Sequence, residues 1–348
     1  MGKIIQTALT SFGMSGMVFH GPSLKVNPNF NIHSILERTK NLSVKNYPKA
    51  NIVRNFEDLL NNPEIDLVVV NTPDSFHYNM CKQALNAGKH VIVEKPFTQE
   101  IDQANELIEL AKEKNLILSV YQNRRWDGDF LTVKKILGSG MIGRLVEFES
   151  HFDRYRNFIQ EGTWKEKGNE RSGVLFNLGS HMADQILVLF GMPTSVTAHL
   201  DTIRDGGMVS DYYDIRLQYD GFAAILKSSY LVREPGPRYS LHGTIGSFHK
   251  WGIDPQEDAL KAGKLPNEDN WGTEPEEAWG LINTEWGGLN YKGTIETIAG
   301  NYKAYYENIY EAITFGKELA VKPEESRDVI KILDYCLQSN QEKRTIFL

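Results

Sequence analysis

From the first residues to about position 120, short apolar runs alternate with stretches whose apolar residues recur at helical spacing. Ile4–Thr10, Ile32–Leu36, Leu67–Asn71, His90–Val93 and Ile117–Val120 read as strands. Phe56–Asn61, Ser75–Ala87 and Gln99–Lys114 read as helices, and in the last of these Ala104, Leu107, Ile108 and Ala111 fall on one face. Strand–helix alternation at this pitch predicts a parallel sheet wrapped by helices on both faces. The run Leu67-Val68-Val69-Val70 suits such a sheet, because a strand buried on both sides needs no polar alternation.

Past Gly138–Gly143 the pattern changes. Leu145–Phe152, Ser195–Asp201, Tyr212–Tyr219, Ala223–Leu231 and Tyr239–Gly243 are longer, and several alternate apolar with polar residues. They predict a second, largely antiparallel sheet, interrupted by one helix near Val174–Phe190. Gly252–Tyr291 is rich in Gly, Pro, Asn, Glu and Trp without a clear period. It is expected to run as a long irregular excursion over the second domain. Helices near Ile298–Phe315 and Pro323–Asn340 close the chain. The fold class is therefore α/β: a doubly wound parallel-sheet domain over 1–122, then an α+β domain with a large, mostly antiparallel sheet over 123–348.

Length and composition narrow the function classes. At 348 residues the chain outgrows one core and accommodates two domains. The net charge is −7 and the Lys and Arg residues are scattered, so no basic patch is available to neutralise nucleic-acid phosphates. Neither Cys81 nor Cys336 stands in a CxxC pair, which argues against a zinc site or redox dithiol; each reads as a buried structural thiol. The N-terminus lacks the long apolar core of a secretory leader, and position 6 lacks the Ser or Thr of a myristoylation motif. No apolar run approaches the roughly 18 residues of a membrane span. The cytoplasm is the expected compartment.

The first strand runs into Ser11-Phe12-Gly13-Met14-Ser15-Gly16 and then a helical stretch. This is the Rossmann dinucleotide fingerprint with serine in place of the first glycine. The second glycine lets the backbone approach a pyrophosphate, and the third lets helix and strand pack closely. The phosphate then meets the N–H groups and positive dipole end of the helix. At the end of the second strand a carboxylate favours NAD, and an arginine accommodates the extra phosphate of NADP. Glu37-Arg38-Thr39-Lys40 offers both. If Glu37 turns back toward the sheet, Arg38 and Thr39, joined by Lys40, form a phosphate pocket; NADP is the preferred cofactor on this reading, with NAD the alternative.

Two segments at later strand ends, Thr72-Pro73 with His77 and Glu94-Lys95-Pro96, precede Gly173-Val174-Leu175-Phe176-Asn177-Leu178-Gly179-Ser180-His181. In this order and spacing the chain resembles the Gfo/Idh/MocA oxidoreductases, the family of glucose–fructose oxidoreductase and inositol dehydrogenases. Leu36-Glu37-Arg38, Asn123-Arg124-Arg125-Trp126-Asp127 and Gly179-Ser180-His181-Met182-Ala183-Asp184 bring it nearest to the NADP-dependent scyllo-inositol dehydrogenases. The resemblance implies hydride transfer between NAD(P) and a secondary alcohol or carbonyl of a sugar or inositol-like polyol. It implies Lys95 and His181 as catalytic, with Lys95 beside the nicotinamide and the Lys95–Pro96 peptide open to the cis form. A partly desolvated lysine has a lowered pKa, which suits a proton partner.

Asn177 replaces the aspartate that many members place four residues before the histidine. It can orient an imidazole or a hydroxyl but cannot stabilise an imidazolium by charge; Asp184 is a candidate helper. The implied cofactor-binding residues are Gly13, Met14, Ser15, Gly16, Arg38, Thr39, Thr72, Pro73, His77, Glu94, Lys95, Asn123 and Trp164. Asp153, Arg154, Tyr155 and Arg156 are candidates for lining a polyol pocket. The implied partners are a small polyol or sugar and further copies of the chain, as a homodimer or homotetramer, with neither nucleic acid nor membrane. The rivals are an NAD-dependent glycoside hydrolase of the same fold and a non-catalytic cofactor-binding regulator.

Overall fold

The central strands of the first sheet are runs whose side chains are apolar enough to be covered on both faces. In the computed structural model, which describes residues 2–162, 166, 168 and 171–348, its strands are β1 (Ile5–Leu9), β2 (Phe30–Leu36), β3 (Asn51–Val53), β4 (Leu67–Val70), β5 (His90–Val93) and β6 (Leu118–Val120). They pair in the order β3-β2-β1-β4-β5-β6, and every pairing is parallel. All four residues of β4 are buried. β3 escaped the sequence pattern because three residues at a sheet edge are too few to show a period. The helices are α1 (Gly21–Val26), which continues a wide helical turn over Ser15–His20, then α2 (Phe56–Leu60), α3 (His77–Asn86) and α4 (Ile101–Glu113). Ala104, Leu107, Ile108 and Ala111 of α4 are buried, as their spacing predicts.

The chain folds as two compact units that interleave in sequence. One takes the residues up to Asp127 together with Pro255–Gly272 and Gly300–Arg327; the other takes Gly128–Asp254, Thr273–Ala299 and Asp328–Leu348. The sequence pattern predicts one boundary, between 122 and 123, with 255–272 and 300–327 in the second domain. The reason for the difference is aromatic. Helix α8 (Lys303–Phe315) brings Tyr305 and Tyr306 against Tyr121, with the Tyr121 and Tyr305 rings 4.9 Å apart. Tyr302 donates its hydroxyl to Asp127 at 2.7 Å, and the Ser119 hydroxyl reaches the Val321 carbonyl at 2.9 Å. Helix α7 (Gln256–Lys261) joins this unit through the fully buried Gln256, which accepts from Trp271 and from the Tyr302 amide.

In the second unit, nine strands form one sheet: β7 (Leu145–His151), β8 (Ser195–Asp201), β9 (Tyr212–Tyr219), β10 (Phe222–Ser229), β11 (Tyr239–Gly243), β12 (Gly246–Lys250), β13 (Gly280–Trp286), β14 (Leu289–Ile295) and β15 (Ile346–Phe347). Their order is β14-β13-β12-β11-β7-β10-β9-β8-β15. Among the described residues, only this sheet's β7–β10 pairing is parallel. Gly252–Tyr291 is thus not the irregular excursion expected: it contains α7 and most of the β13–β14 hairpin, whose residues in β14 are largely exposed and therefore carry no apolar alternation. The sheet packs its covered face on α5 (Gly128–Ser139), α6 (Ser180–Phe190) and the later part of α9 (Pro323–Glu342), through Phe148, Leu241 and Phe248 against Val133, Met182 and Leu333.

Phe148 is fully buried and meets the rings of Phe190 and Tyr239 edge-on. Phe148→Ala is expected to cost about 3–5 kcal/mol in urea unfolding, the usual range for an aromatic removed from a core. Val146→Ala, at an exposed position two residues away, stays within about 0.5 kcal/mol. Equal losses would place the core elsewhere.

Candidate cofactor and catalytic site

β1 and β4 are the neighbouring strands at which the order of the first sheet reverses, and ligands of open α/β sheets bind where that happens. The glycine loop leaves β1 there, and Asn71, the residue after β4, clasps it. The Asn71 side chain accepts from the Ser11 amide and donates to the Ser11 carbonyl, both at 2.9 Å. Ser11, which stands where the fingerprint has glycine, donates its hydroxyl to the Asn71 carbonyl at 2.8 Å, so the substitution adds a bond to the turn.

A Cβ on Gly16 would lie 2.5 Å from the Ser11 carbonyl oxygen and 3.0 Å from the Asn71 amide nitrogen, so this position admits no side chain. A Cβ on Gly13 would meet nothing within 4 Å; there the glycine keeps the backbone bare. Met14 is exposed, and no side chain caps the helical turn that starts at Ser15. A close turn, a bare backbone and an uncapped helix start fit a dinucleotide pyrophosphate.

Behind the loop lies a polar network. Glu94, directly after β5, accepts from the Ser15 hydroxyl at 2.5 Å, from His20 Nε2 at 3.1 Å and from the Lys95 amide at 3.1 Å. His20 is fully buried, and its Nδ1 lies 2.7 Å from the Tyr306 hydroxyl. A carboxylate only accepts, so Nε2 carries a proton toward Glu94. Burial raises the Glu94 carboxyl, but the His20 and Ser15 bonds and the nearby Lys95 charge outweigh it and bring the pKa to about 2. Glu94 thus serves the loop and Lys95 from behind.

The end of β2 settles how Glu37 is used. Its carboxylate is buried and accepts from the Leu42 amide at 2.7 Å, the Ser43 amide at 2.9 Å and the Ser43 hydroxyl at 2.5 Å. Desolvation raises its pKa, yet these bonds and Arg54 leave it below the ordinary value. Arg38, Thr39 and Lys40 are exposed.

Of the other expected cofactor residues, Thr72 is half-buried and Pro73 exposed at the end of β4, and Asn123 is buried at the start of the turn after β6. His77 is buried, with Nδ1 2.8 Å from the Pro96 carbonyl and Nε2 2.9 Å from the Thr72 carbonyl. It therefore positions two loops instead of reaching outward itself. The Lys95–Pro96 peptide is cis, as the resemblance implied, and Lys95 is half-buried. Trp164 lies outside the described residues.

In the second unit, Asn177 is half-buried in the wide turn Leu175–Gly179 that leads into α6, and His181 and Asp184 are buried on α6. Gln185, which sequence reasoning passed over, accepts from the Tyr239 hydroxyl at 2.8 Å and from Arg238 at 3.3 Å. Arg238 also holds the Ser150 hydroxyl at 2.5 Å and the His151 carbonyl at 2.9 Å, which anchors α6 to β7 and β11. Asp153 accepts from the Ser229 amide at 3.0 Å, and Arg154 is half-buried over the Phe152 ring. Tyr155 and Arg156 are exposed, with Arg233 stacked on Tyr155.

Sequence reasoning also missed Asn71, His20, Tyr306 and Arg54 as site residues. Asn71 carries a signal, closing the strand Leu67–Asn71 directly before Thr72-Pro73. His20 and Tyr306 had none, being 286 residues apart.

Gly16→Ala is expected to lower stability by roughly 1–3 kcal/mol through the forced shift of the turn, whereas Gly13→Ala leaves the melting temperature unchanged; calorimetry on both decides, and equal effects would refute the distinction. Glu94 has a depressed folded-state pKa, so its contribution to stability is present above the ordinary 4.5 and is lost as the pH falls toward 2. The stability gap between wild type and Glu94→Gln should therefore narrow from pH 6 to pH 3 in urea titrations. A gap independent of pH would show that Glu94 is not the group involved.

Comparison with known proteins agrees with this fold. The family model for the oxidoreductase NAD-binding Rossmann fold matches residues 7–122, and that for the C-terminal alpha/beta domain matches residues 134–348. The scyllo-inositol 2-dehydrogenase (NADP(+)) IolW of Bacillus subtilis is 41% identical over 344 residues, covering 99% of this chain and 96% of that protein. A Bacteroides fragilis crystal structure is 50% identical with a TM-score of 0.93, covering 99% of this chain and 100% of that one. An oxidoreductase structure from Bacillus cereus is 33% identical with a TM-score of 0.91, covering 99% and 98%. Among the described residues no helix is long and apolar enough to cross a membrane. The chain belongs to the Gfo/Idh/MocA oxidoreductase family.

Proposed function

We propose that this protein is an NADP-dependent dehydrogenase, working in the cytoplasm as a homodimer or homotetramer. It oxidises a secondary alcohol of an inositol-like polyol or sugar, or reduces the corresponding carbonyl. The observation that carries this reading is the Glu94–Lys95–Pro96 turn at the end of β5, where Glu94 binds both the Lys95 amide and Ser15 of the glycine loop. One carboxylate thereby holds an amine-bearing residue and the dinucleotide loop in fixed relation. The Bacillus subtilis relative supports the substrate class. The turned-back Glu37, with Arg38 and Thr39 exposed beside it, supports NADP over NAD.

Gly13, Met14, Ser15 and Gly16 would hold the pyrophosphate, Arg38 and Thr39 the 2′-phosphate, and Thr72, Pro73 and Asn123 the nicotinamide end. When bound, the nicotinamide accepts or returns the hydride. Lys95 binds the reacting hydroxyl and takes its proton as the carbinol is oxidised, then returns it in the reverse direction. His181 is the second proton-handling group. Asn177 orients its imidazole or a substrate hydroxyl by hydrogen bonding and adds no charge.

The test is spectrophotometric: NADP and NAD against inositols, aldoses, sugar acids and their keto forms, with wild type and Lys95→Ala. Turnover on a polyol is expected, with kcat reduced on the order of a hundredfold or more in the variant and cofactor affinity little changed. Near-normal turnover by Lys95→Ala would remove Lys95 from the chemistry, and silence across the panel despite cofactor binding would remove the dehydrogenase reading.

A further inference from the structure

The loop after β2 is held from beneath by a residue outside the expected cofactor set. Arg54, the residue after β3, donates from Nη1 to the Glu37 carbonyl at 2.6 Å and to the Lys40 carbonyl at 2.7 Å, and from Nη2 to the Asn41 side-chain oxygen at 2.6 Å. One guanidinium therefore grips both ends of the segment 37–41. The Glu37 carboxylate grips the next stretch, through the Leu42 and Ser43 amides and the Ser43 hydroxyl. Between these two holds, Arg38, Thr39 and Lys40 stand exposed.

A planar fork serves two carbonyls from one nitrogen and an amide oxygen from the other in a fixed geometry; a lysine ammonium keeps the charge and three donors on a single point without that fork. The arrangement also sets cationic groups close together in sequence around one short loop, which favours a multiply charged anion there. An acid at this strand end ordinarily takes ribose hydroxyls. Here it is consumed by the backbone of its own loop.

We propose that Arg54 is a positioning residue for cofactor choice: with the Glu37 latch it fixes the 38–40 segment in the form that receives the 2′-phosphate of NADP. This inference rests on the NADP reading above. Its test compares KM for NADP and NAD, and kcat at saturation, in wild type, Arg54→Met and Arg54→Lys. Binding of 2′-phospho-ADP-ribose and ADP-ribose is measured by calorimetry on the same proteins, so that the answer does not depend on turnover.

Arg54→Met is expected to raise KM for NADP by about tenfold or more, the scale of a few charge-assisted hydrogen bonds. KM for NAD and kcat should stay within about twofold, a margin well under half the free energy of a tenfold change. Arg54→Lys should recover part of the loss. Parallel loss of both cofactors would mark a purely structural role and overturn the proposal, as would an unchanged NADP-to-NAD ratio in a wild-type background that prefers NADP. A wild-type preference for NAD would instead strike the cofactor reading, and this inference with it.

Discussion

Glu94 is the constraint on which the first unit's ligand loops depend. A largely buried carboxylate must be surrounded by donors or be neutralised by a proton. Its donors come from three places: Ser15 in the glycine loop, His20 at the end of the helical turn that follows, and the amide of Lys95. His20 is held in turn by the Tyr306 hydroxyl, so a helix more than 200 residues away is recruited to fix one imidazole in place. Removing Glu94 leaves the buried His20 Nε2 without its acceptor, and an unsatisfied buried group ordinarily costs more than a hydrogen bond gains when it forms. The loop and the lysine are therefore held by the same charge.

The same logic recurs at each strand end that presents a loop. Asn71 clasps Ser11, His77 bridges Thr72 and Pro96, and Glu37 and Arg54 hold the loop after β2. In each case a side chain satisfies backbone groups that no strand or helix can serve. Several residues that resemble binding residues in the sequence consequently work inward: Glu37, Glu94 and His77 all direct their polar atoms at the protein.

Two departures from the family pattern have different consequences. Serine at position 11 is absorbed, because Asn71 offers its hydroxyl a partner and the tight approach falls on Gly16. Asparagine at position 177 is not a neutral exchange in chemistry, since it removes a charge from the turn that leads to His181. The helix beyond it is anchored by Gln185, which accepts from Arg238 and Tyr239.

The strand–helix alternation, the parallel sheet and the glycine loop were legible in the sequence because they are local: a period of two or near four, or glycines at fixed offsets, needs only neighbouring residues. The antiparallel strands from Ser195 to Gly243 were legible for the same reason. Tertiary structure alone decided the rest. That 255–272 and 300–327 belong with the first unit follows from tyrosine packing and a buried glutamine, contacts that join residues far apart in the chain. The β13–β14 hairpin stayed hidden because β14, the exposed edge strand, carries no apolar signature and β13 buries only alternate residues that include Gly280 and Thr284. Whether Glu37 would face a ribose or its own loop depended on Ser43 and Arg54, and whether His77 would face outward depended on two carbonyls. The residue types announced the chemistry, but the direction of a side chain is set by the partners that folding brings to it.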